Sequence, residues 1–254
     1  MKYLYIFTNS LLFSFIAPDI SAQGNRTSEN NSIGWYAAFL TYNLDDKWSI
    51  HGEFQWRRTG IIREAQQNLY RTGINYKIHP NVILRGGFAY IDTYPYGEIP
   101  IQSAGNIFPE YRTYQMAQVS NPLGKVTLTH RFMLEQRWVG IYTDPNLSKS
   151  DDQVYLNRAR YMARLDIPLG SSSKEKTSPY LAIYDELLIG FGKNVNQNIF
   201  DQNRIGVLLG LKINEAIRSE IGFISQTVQF GRLINAREYM QYNNGMIWNT
   251  YITL

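Results

Sequence analysis

The amino-acid sequence predicts an all-β chain closed into a transmembrane, antiparallel up-and-down barrel of about 12 strands, with 10 as the alternative. Three observations carry this reading. Apolar and polar residues alternate with a period of two along most of the chain. The alternating segments run about ten residues or more, the length a tilted strand needs to cross a hydrocarbon core. Aromatic content is high, with Tyr 19, Phe 12 and Trp 5, and many of these rings fall near segment ends. A soluble β-sandwich also alternates, but its strands are usually shorter and its polar face is dominated by lysine rather than by arginine with glutamate.

The first element is a leader. Lys2 precedes an apolar run, Tyr3 to Phe7 and Leu11 to Ala17, which Pro18 breaks before Ser21-Ala22-Gln23. This pattern reads as a signal peptide over 1–22 cleaved near Ala22, since the run is too short and too interrupted to span a bilayer as a helix. Residues 23–254 then read as one barrel domain.

Strands are expected at about 33–43, 48–58, 67–78, 82–93, 110–120, 125–138, 154–167, 179–190, 201–213, 217–230 and 241–254. Three segments show the rule. Trp48, Ile50, Phe54 and Trp56 share one face, against His51, Glu53, Gln55 and Arg57 on the other. Val126, Leu128, Phe132, Leu134 and Trp138 oppose Thr127, Thr129, Arg131, Glu135 and Arg137. Ile205, Val207, Leu209 and Leu211 oppose Arg204, Gly206, Gly210 and Lys212. Successive side chains of a strand point to opposite faces, so each split separates a lipid-facing set from a lumenal set.

The connections alternate in length. Leu44–Lys47, His79–Asn81, Asn121–Gly124 and Asn214–Ala216 are short, whereas 59–66, 94–109, 139–153, 191–200 and 231–240 are longer. Short turns at one end and long loops at the other are the pattern of outer-membrane barrels. The connection 168–178 is an exception, being long in a short slot. An even number of strands needs one more element than these eleven, and the polar stretch 23–32 is the open question: it pairs as a strand, threads the lumen, or one strand is misassigned.

If the apolar parity faces lipid, the lumen receives His51, Glu53, Arg57, Arg71, Arg85, Glu110, Arg112, Arg131, Glu135, Arg137, Arg158, Arg160, Arg164, Asp166, Glu186, Arg204, Lys212, Arg218 and Glu220. The core of the expected charge network is Glu53, Arg57, Arg71, Arg85, Arg112, Arg131, Glu135, Arg137, Arg158, Arg160, Arg164, Glu186, Arg204 and Glu220. Forked guanidinium groups satisfy carboxylates well in a narrow, partly desolvated interior. Trp35, Trp48, Trp56, Trp138 and Trp248 are expected in aromatic girdles at the two membrane interfaces.

The remaining composition mostly excludes. Cysteine is absent, so disulfides, zinc-thiolate sites and cysteine nucleophiles are out. The net charge of +4 is spread singly, which argues against a nucleic-acid surface. No phosphate-cradling loop, zinc spacing or nucleotide fingerprint is present, and no cofactor or metal is expected. Ser49, His51 and Glu53 alternate on one strand face, but at the end of the barrel away from outer-leaflet lipid; no catalytic residue is assigned.

The order of motifs resembles a family of bacterial outer-membrane barrels, domain of unknown function 2490 (DUF2490). The resemblance rests on Gly34-Trp35, Trp48 to Glu53, Arg112 to Gln115, Thr129 to Trp138, Asn157 to Tyr161, Tyr184 to Leu187 and Asp201 to Arg204, followed by a Gly-Leu strand and the closing strand. The Ser-Ala-Gln site looks like signal peptides of Bacteroidota, while Leu254 departs from the terminal aromatic usual in outer-membrane proteins. The resemblance implies a bacterial outer-membrane location and carries over no catalytic residue. The expected role is a structural or accessory barrel with an arginine–glutamate-filled lumen. It would contact outer-membrane lipid and lipopolysaccharide, with a larger outer-membrane complex as a candidate partner. A narrow anion-preferring pore and a lipid-modifying enzyme are the alternatives.

Overall fold

A computed structural model describes residues 26–170 and 177–254. The leader reading of 1–22, and residues 23–25, lie outside the described residues. Eleven strands follow one another in chain order: β1 Arg26–Asn43, β2 Trp48–Thr59, β3 Glu64–His79, β4 Val82–Thr93, β5 Phe108–Leu123, β6 Val126–Ile141, β7 Asp152–Pro168, β8 Ser178–Phe191, β9 Phe200–Lys212, β10 Ile217–Gln229 and β11 Glu238–Thr253. Each pairs with its chain neighbour in antiparallel fashion, and β1 pairs with β11 to close the barrel.

The strand number is eleven, close to the expected twelve. Residues 26–32 are not a separate strand; they lengthen β1, which is paired with β11 from Arg26↔Glu238 to Thr41↔Thr253. In an up-and-down meander of eleven strands the first and last run the same way, so the closing pair has to be parallel, as it is. Parallel ladders are slightly weaker per residue than antiparallel ones. The length of this seam offsets that difference, and closure leaves no unpaired strand edge.

One end of the barrel, the turn end, carries connections 44–47, 80–81, 124–125, 169–177 and 213–216. The other, the loop end, carries 60–63, 94–107, 142–151, 192–199 and 230–237. The β2–β3 connection is therefore as short as the turns, because β3 begins at Glu64 rather than 67. At the turn end Asp45 Oδ1 accepts the backbone N–H groups of Lys47 and Trp48, each at 2.7 Å. Those N–H groups, that of Trp48 most, hold the Asp45 carboxyl below its ordinary range.

The alternation read from sequence separates outside from inside. Leu40, Ile50, Phe54, Ile74, Phe88, Phe132, Leu134, Leu187, Val207, Leu209, Ile221 and Phe223 are exposed on the outer wall. The inner wall has two characters. Along β8 to β11 and β1 an apolar cluster of Ile33, Trp35, Ala182, Leu208, Ile224 and Ile247 is buried, with Tyr180 and Tyr184 packed on it. Elsewhere the inner wall is mostly charged, interrupted by small buried clusters of Leu69, Ala89 and Ile91 and of Tyr114, Met116 and Met133.

Glycines inside the strands make room for this packing. An added Cβ at Gly206 would stand 2.2 Å from the Tyr184 ring, which lies flat across the β9 backbone. Gly206→Ala is expected to lower the midpoint of urea unfolding of the detergent-folded barrel, at a cost of about 1–3 kcal/mol, because the ring has to leave its place. An unchanged midpoint would show that Tyr184 does not occupy that position.

Candidate functional site

All fourteen residues of the expected charge network lie on the inner parity, and the structure joins most of them through Glu135, which is fully buried on β6. Arg158 Nη2 approaches Glu135 Oε2 at 2.6 Å and Arg160 Nη1 approaches Oε1 at 2.8 Å, both from the neighbouring strand β7. Arg112 from β5 and Arg71 from β3 each stand 3.8 Å from Oε1. One carboxylate thus gathers four guanidinium groups from three strands, and Arg71 carries the link towards the far wall.

From there the lattice spreads. Arg71 also pairs with Glu53 at 2.8 Å, and Glu53 accepts the ring of His51 at 3.3 Å. Arg112 and Arg137 share Glu110. Arg160, Arg131 and Arg204 converge on Glu186 at 2.7, 2.8 and 3.5 Å. Arg164 joins Glu220 to Asp166 near the turn end. Buried ions are costly to desolvate, and such groups persist where each is paired with good geometry. Here the forked donors reach two acceptors at once, which is what a shared lattice requires.

Two of the expected arginines stand apart. Arg57 and Arg85 form no ion pair with an acid among the described residues; Arg57 Nε donates to Gln55 Oε1 at 2.9 Å and its Nη1 to Gln67 Oε1 at 2.6 Å, and Arg85 donates to Asn75.

Two acids escaped the sequence reading. Asp201 accepts from Arg158 and stands 3.9 Å from Arg137. Alternation places it outside, next to Gln202 and Arg204 on the inside. A β-bulge reverses this: Leu188 pairs with Gln202 and Ile189 with Phe200, so Asp201 is left over and turns inward. Glu29 is buried and lies in the polar stretch that lacks an apolar alternation, so parity could be assigned only from Trp35, six residues on. Its Oε2 accepts the backbone N–H of Glu98 at 2.7 Å, which draws loop 94–107 into the mouth. Gly97 in that loop has φ +77, and a Cβ there would meet Glu29 Oε1 at 2.2 Å. Arg232 holds the same loop through the carbonyls of Pro100 and Ile101, at 2.7 and 3.1 Å.

The tryptophans divide. Trp48 lies outside near the turn end against Tyr76, with ring centroids 4.6 Å apart. Trp56 and Trp138 lie outside nearer the loop end against Tyr36 and Tyr155, at 5.3 and 5.4 Å. Trp248 is exposed on the outer wall. Trp35 is corrected: it belongs to no girdle, being 5% exposed in the lumen, where the Arg57 guanidinium stacks 3.8 Å from its ring centroid. Ile33 and Gly34 before it carry little polarity, so sequence alternation there does not mark the inner side. The serine–histidine–acid spacing does not assemble as a relay either. Ser49 Oγ accepts from Asn75 Nδ2 at 2.9 Å, and the His51 ring turns to Glu53.

A cavity of about 1040 Å³ occupies the lumen. Its lining runs from Ile101, Tyr142 and Asn194 at the loop end, past Arg57, Arg112, Arg158 and Glu186, to Pro168, Ser178 and Lys212 at the turn end.

A closed meander, antiparallel except at the β1–β11 seam, with an apolar exterior and an ion-paired interior is an all-β barrel. Residues 33–233 match the family described as Protein of unknown function (DUF2490), and the chain belongs to that family. Comparison with curated protein sequences gives no match. Among solved structures, the NanC porin in a rhombohedral crystal form is similar, with 14% sequence identity, a TM-score of 0.43, and coverage of 82% of this chain and 89% of that one.

Removing the hub carboxylate tests the lattice. Glu135→Gln leaves Arg158 and Arg160 short of a buried partner and is expected to cost about 3–5 kcal/mol in urea unfolding followed by tryptophan fluorescence. The exposed pair of Arg26 and Glu238, at 2.7 Å, gives the contrast: Arg26→Gln is expected to cost at most about 1 kcal/mol. Equal effects of the two changes would refute a lattice centred on Glu135.

Proposed function

We propose that this protein is an integral barrel of the bacterial outer membrane, and that its lumen is a narrow, cation-lined passage for small anions. The membrane assignment is supported by the outer wall. A soluble monomer rarely exposes a continuous apolar surface of this extent, whereas a lipid-facing barrel needs one. Among the described residues no helix is long and apolar enough to cross a membrane, and a barrel crosses with strands.

The observation that carries the passage is the cavity of about 1040 Å³ lined by residues of both barrel ends, in which arginines outnumber carboxylates. An excess of fixed positive charge within low-dielectric walls attracts anions and repels cations. Loop 94–107, drawn into the mouth by Glu29 and Arg232, narrows the entrance and selects for small solutes.

A second reading has its own support. The lattice around Glu135 spans several strands and braces the lumen, which suits a sealed structural barrel serving a larger outer-membrane complex. That reading carries the same membrane assignment and a different transport outcome.

Two measurements check these readings. On cell fractionation the protein is expected in the outer membrane, with gel mobility that changes on heating; recovery as a soluble protein would overturn the membrane assignment. In planar bilayers under a potassium chloride gradient, the reversal potential is expected to take the sign of chloride selectivity. An electrically silent barrel would sink the passage and leave the sealed reading standing.

A further inference from the structure

We infer that the lumen contains a binding site for a small hydroxylated oxyanion, a carboxylate or a phosphate ester, formed by Arg57 and Arg204 around Trp35. The inference rests on the lumen being open to solute, as proposed above, and adds where a solute is held and by what.

Arg57 is 6% exposed, yet its hydrogen bonds go to neutral amide oxygens, and no carboxylate pairs with it among the described residues. Arg204 is 8% exposed and its acid contact is weak. Its Nη1 is 3.5 Å from Glu186, a carboxylate already held more closely by Arg160 and Arg131. Both guanidinium groups lie against one indole, at 3.8 and 5.1 Å from the Trp35 centroid. Two buried cations sharing a ring repel each other, and cation–π attraction of about 0.5–2 kcal/mol each offsets only part of the cost of desolvating them. An anion seated between them supplies the missing charge, and the planar fork of each guanidinium fits the paired oxygens of a carboxylate or phosphate.

The surroundings define the rest of the ligand. Gln66, Gln67, Gln202 and Gln226 line the same cavity beside the two arginines, as does Tyr96 from the inturned loop. Several of these groups already hold one another: Trp35 Nε1 donates to Gln66 at 2.7 Å, and Gln226 donates to Gln202 at 2.8 Å. Their amides are therefore oriented before any ligand arrives. Amides that both donate and accept match hydroxyl groups, which do the same. A hydroxylated anion fits this wall better than a bare halide.

The test is calorimetric titration of the folded barrel in detergent with gluconate, with glycerol 3-phosphate and with glycerol. Saturable binding of gluconate or glycerol 3-phosphate is expected, and none of glycerol; which of the two binds names the oxyanion. Arg57→Gln and Arg204→Gln are each expected to weaken it about tenfold or more, while Arg218→Gln at the turn end leaves it unchanged. Should the glutamine variants fail to fold, Arg57→Lys and Arg204→Lys keep the charge but lose the fork, and binding several-fold weaker is expected. No saturable binding of either anion overturns the site, as does binding that none of these folded variants alters. Binding in a barrel that does not conduct would retain the site and sink the passage, whereas anion-selective conductance without binding would do the reverse.

Discussion

The structure depends on the convergence of arginines upon Glu135. A closed sheet with an apolar exterior has to turn its polar residues inward, into a space too narrow to hydrate each charge fully. The sequence meets that constraint with guanidinium groups, which bond to two acceptors at once, rather than with lysines. Glu135 draws on β3, β5 and β7, Glu186 on β6, β7 and β9, and Glu110 on β5 and β6. Two of these contacts, Arg71 with Glu135 and Arg131 with Glu186, tie together strands that are not neighbours in the sheet. They add cross-lumen bracing to a wall otherwise held only by backbone ladders.

The lattice does not fill the interior evenly. It occupies mainly the side built from β2 to β9, reaching β10 at Glu220, while β8 to β11 and β1 contribute the apolar cluster around Ile33, Leu208, Ile224 and Ile247. Trp35 sits where these two sides meet, beside the parallel seam. Its ring is apolar enough to belong to the cluster, and its π face accepts Arg57, which pairs with no acid among the described residues, and Arg204, which Glu186 holds only at 3.5 Å. The charge balance of the lumen is thus uneven along its circumference, and the surplus of positive charge lies next to the amide wall rather than at the hub. The inturned loop 94–107 faces the same region, since Tyr96 accepts from Asn243 on β11 at 3.2 Å.

Much of this was legible in the sequence because lipid and lumen impose opposite demands on alternate residues. Val126 to Trp138 sorts its side chains between exterior and interior without error, and so do Trp48 to Arg57 and Arg204 to Lys212. The arginine–glutamate character of the interior followed from that sorting alone. Where the alternation breaks, the reading broke with it. Asp201 was hidden by a bulge that shifts parity by one residue. Glu29 was hidden by a segment polar on both sides, and Trp35 by neighbours that do not distinguish in from out.

The sequence by itself determined the barrel class, ten of the eleven strands in their essentials and the first in its second half, the two ends with most of their turns and loops, and most of the residues that face inward. All of these depend on local period and composition. Tertiary structure alone decided how the sheet closes, because the pairing of β1 with β11 joins residues more than two hundred positions apart and no local pattern encodes its direction. It also decided which charges pair. Parity brings eleven arginines into one lumen, but the tilt and stagger of the strands decide that Arg158 and Arg160 meet Glu135 while Arg57 is left against an indole with only amides for partners.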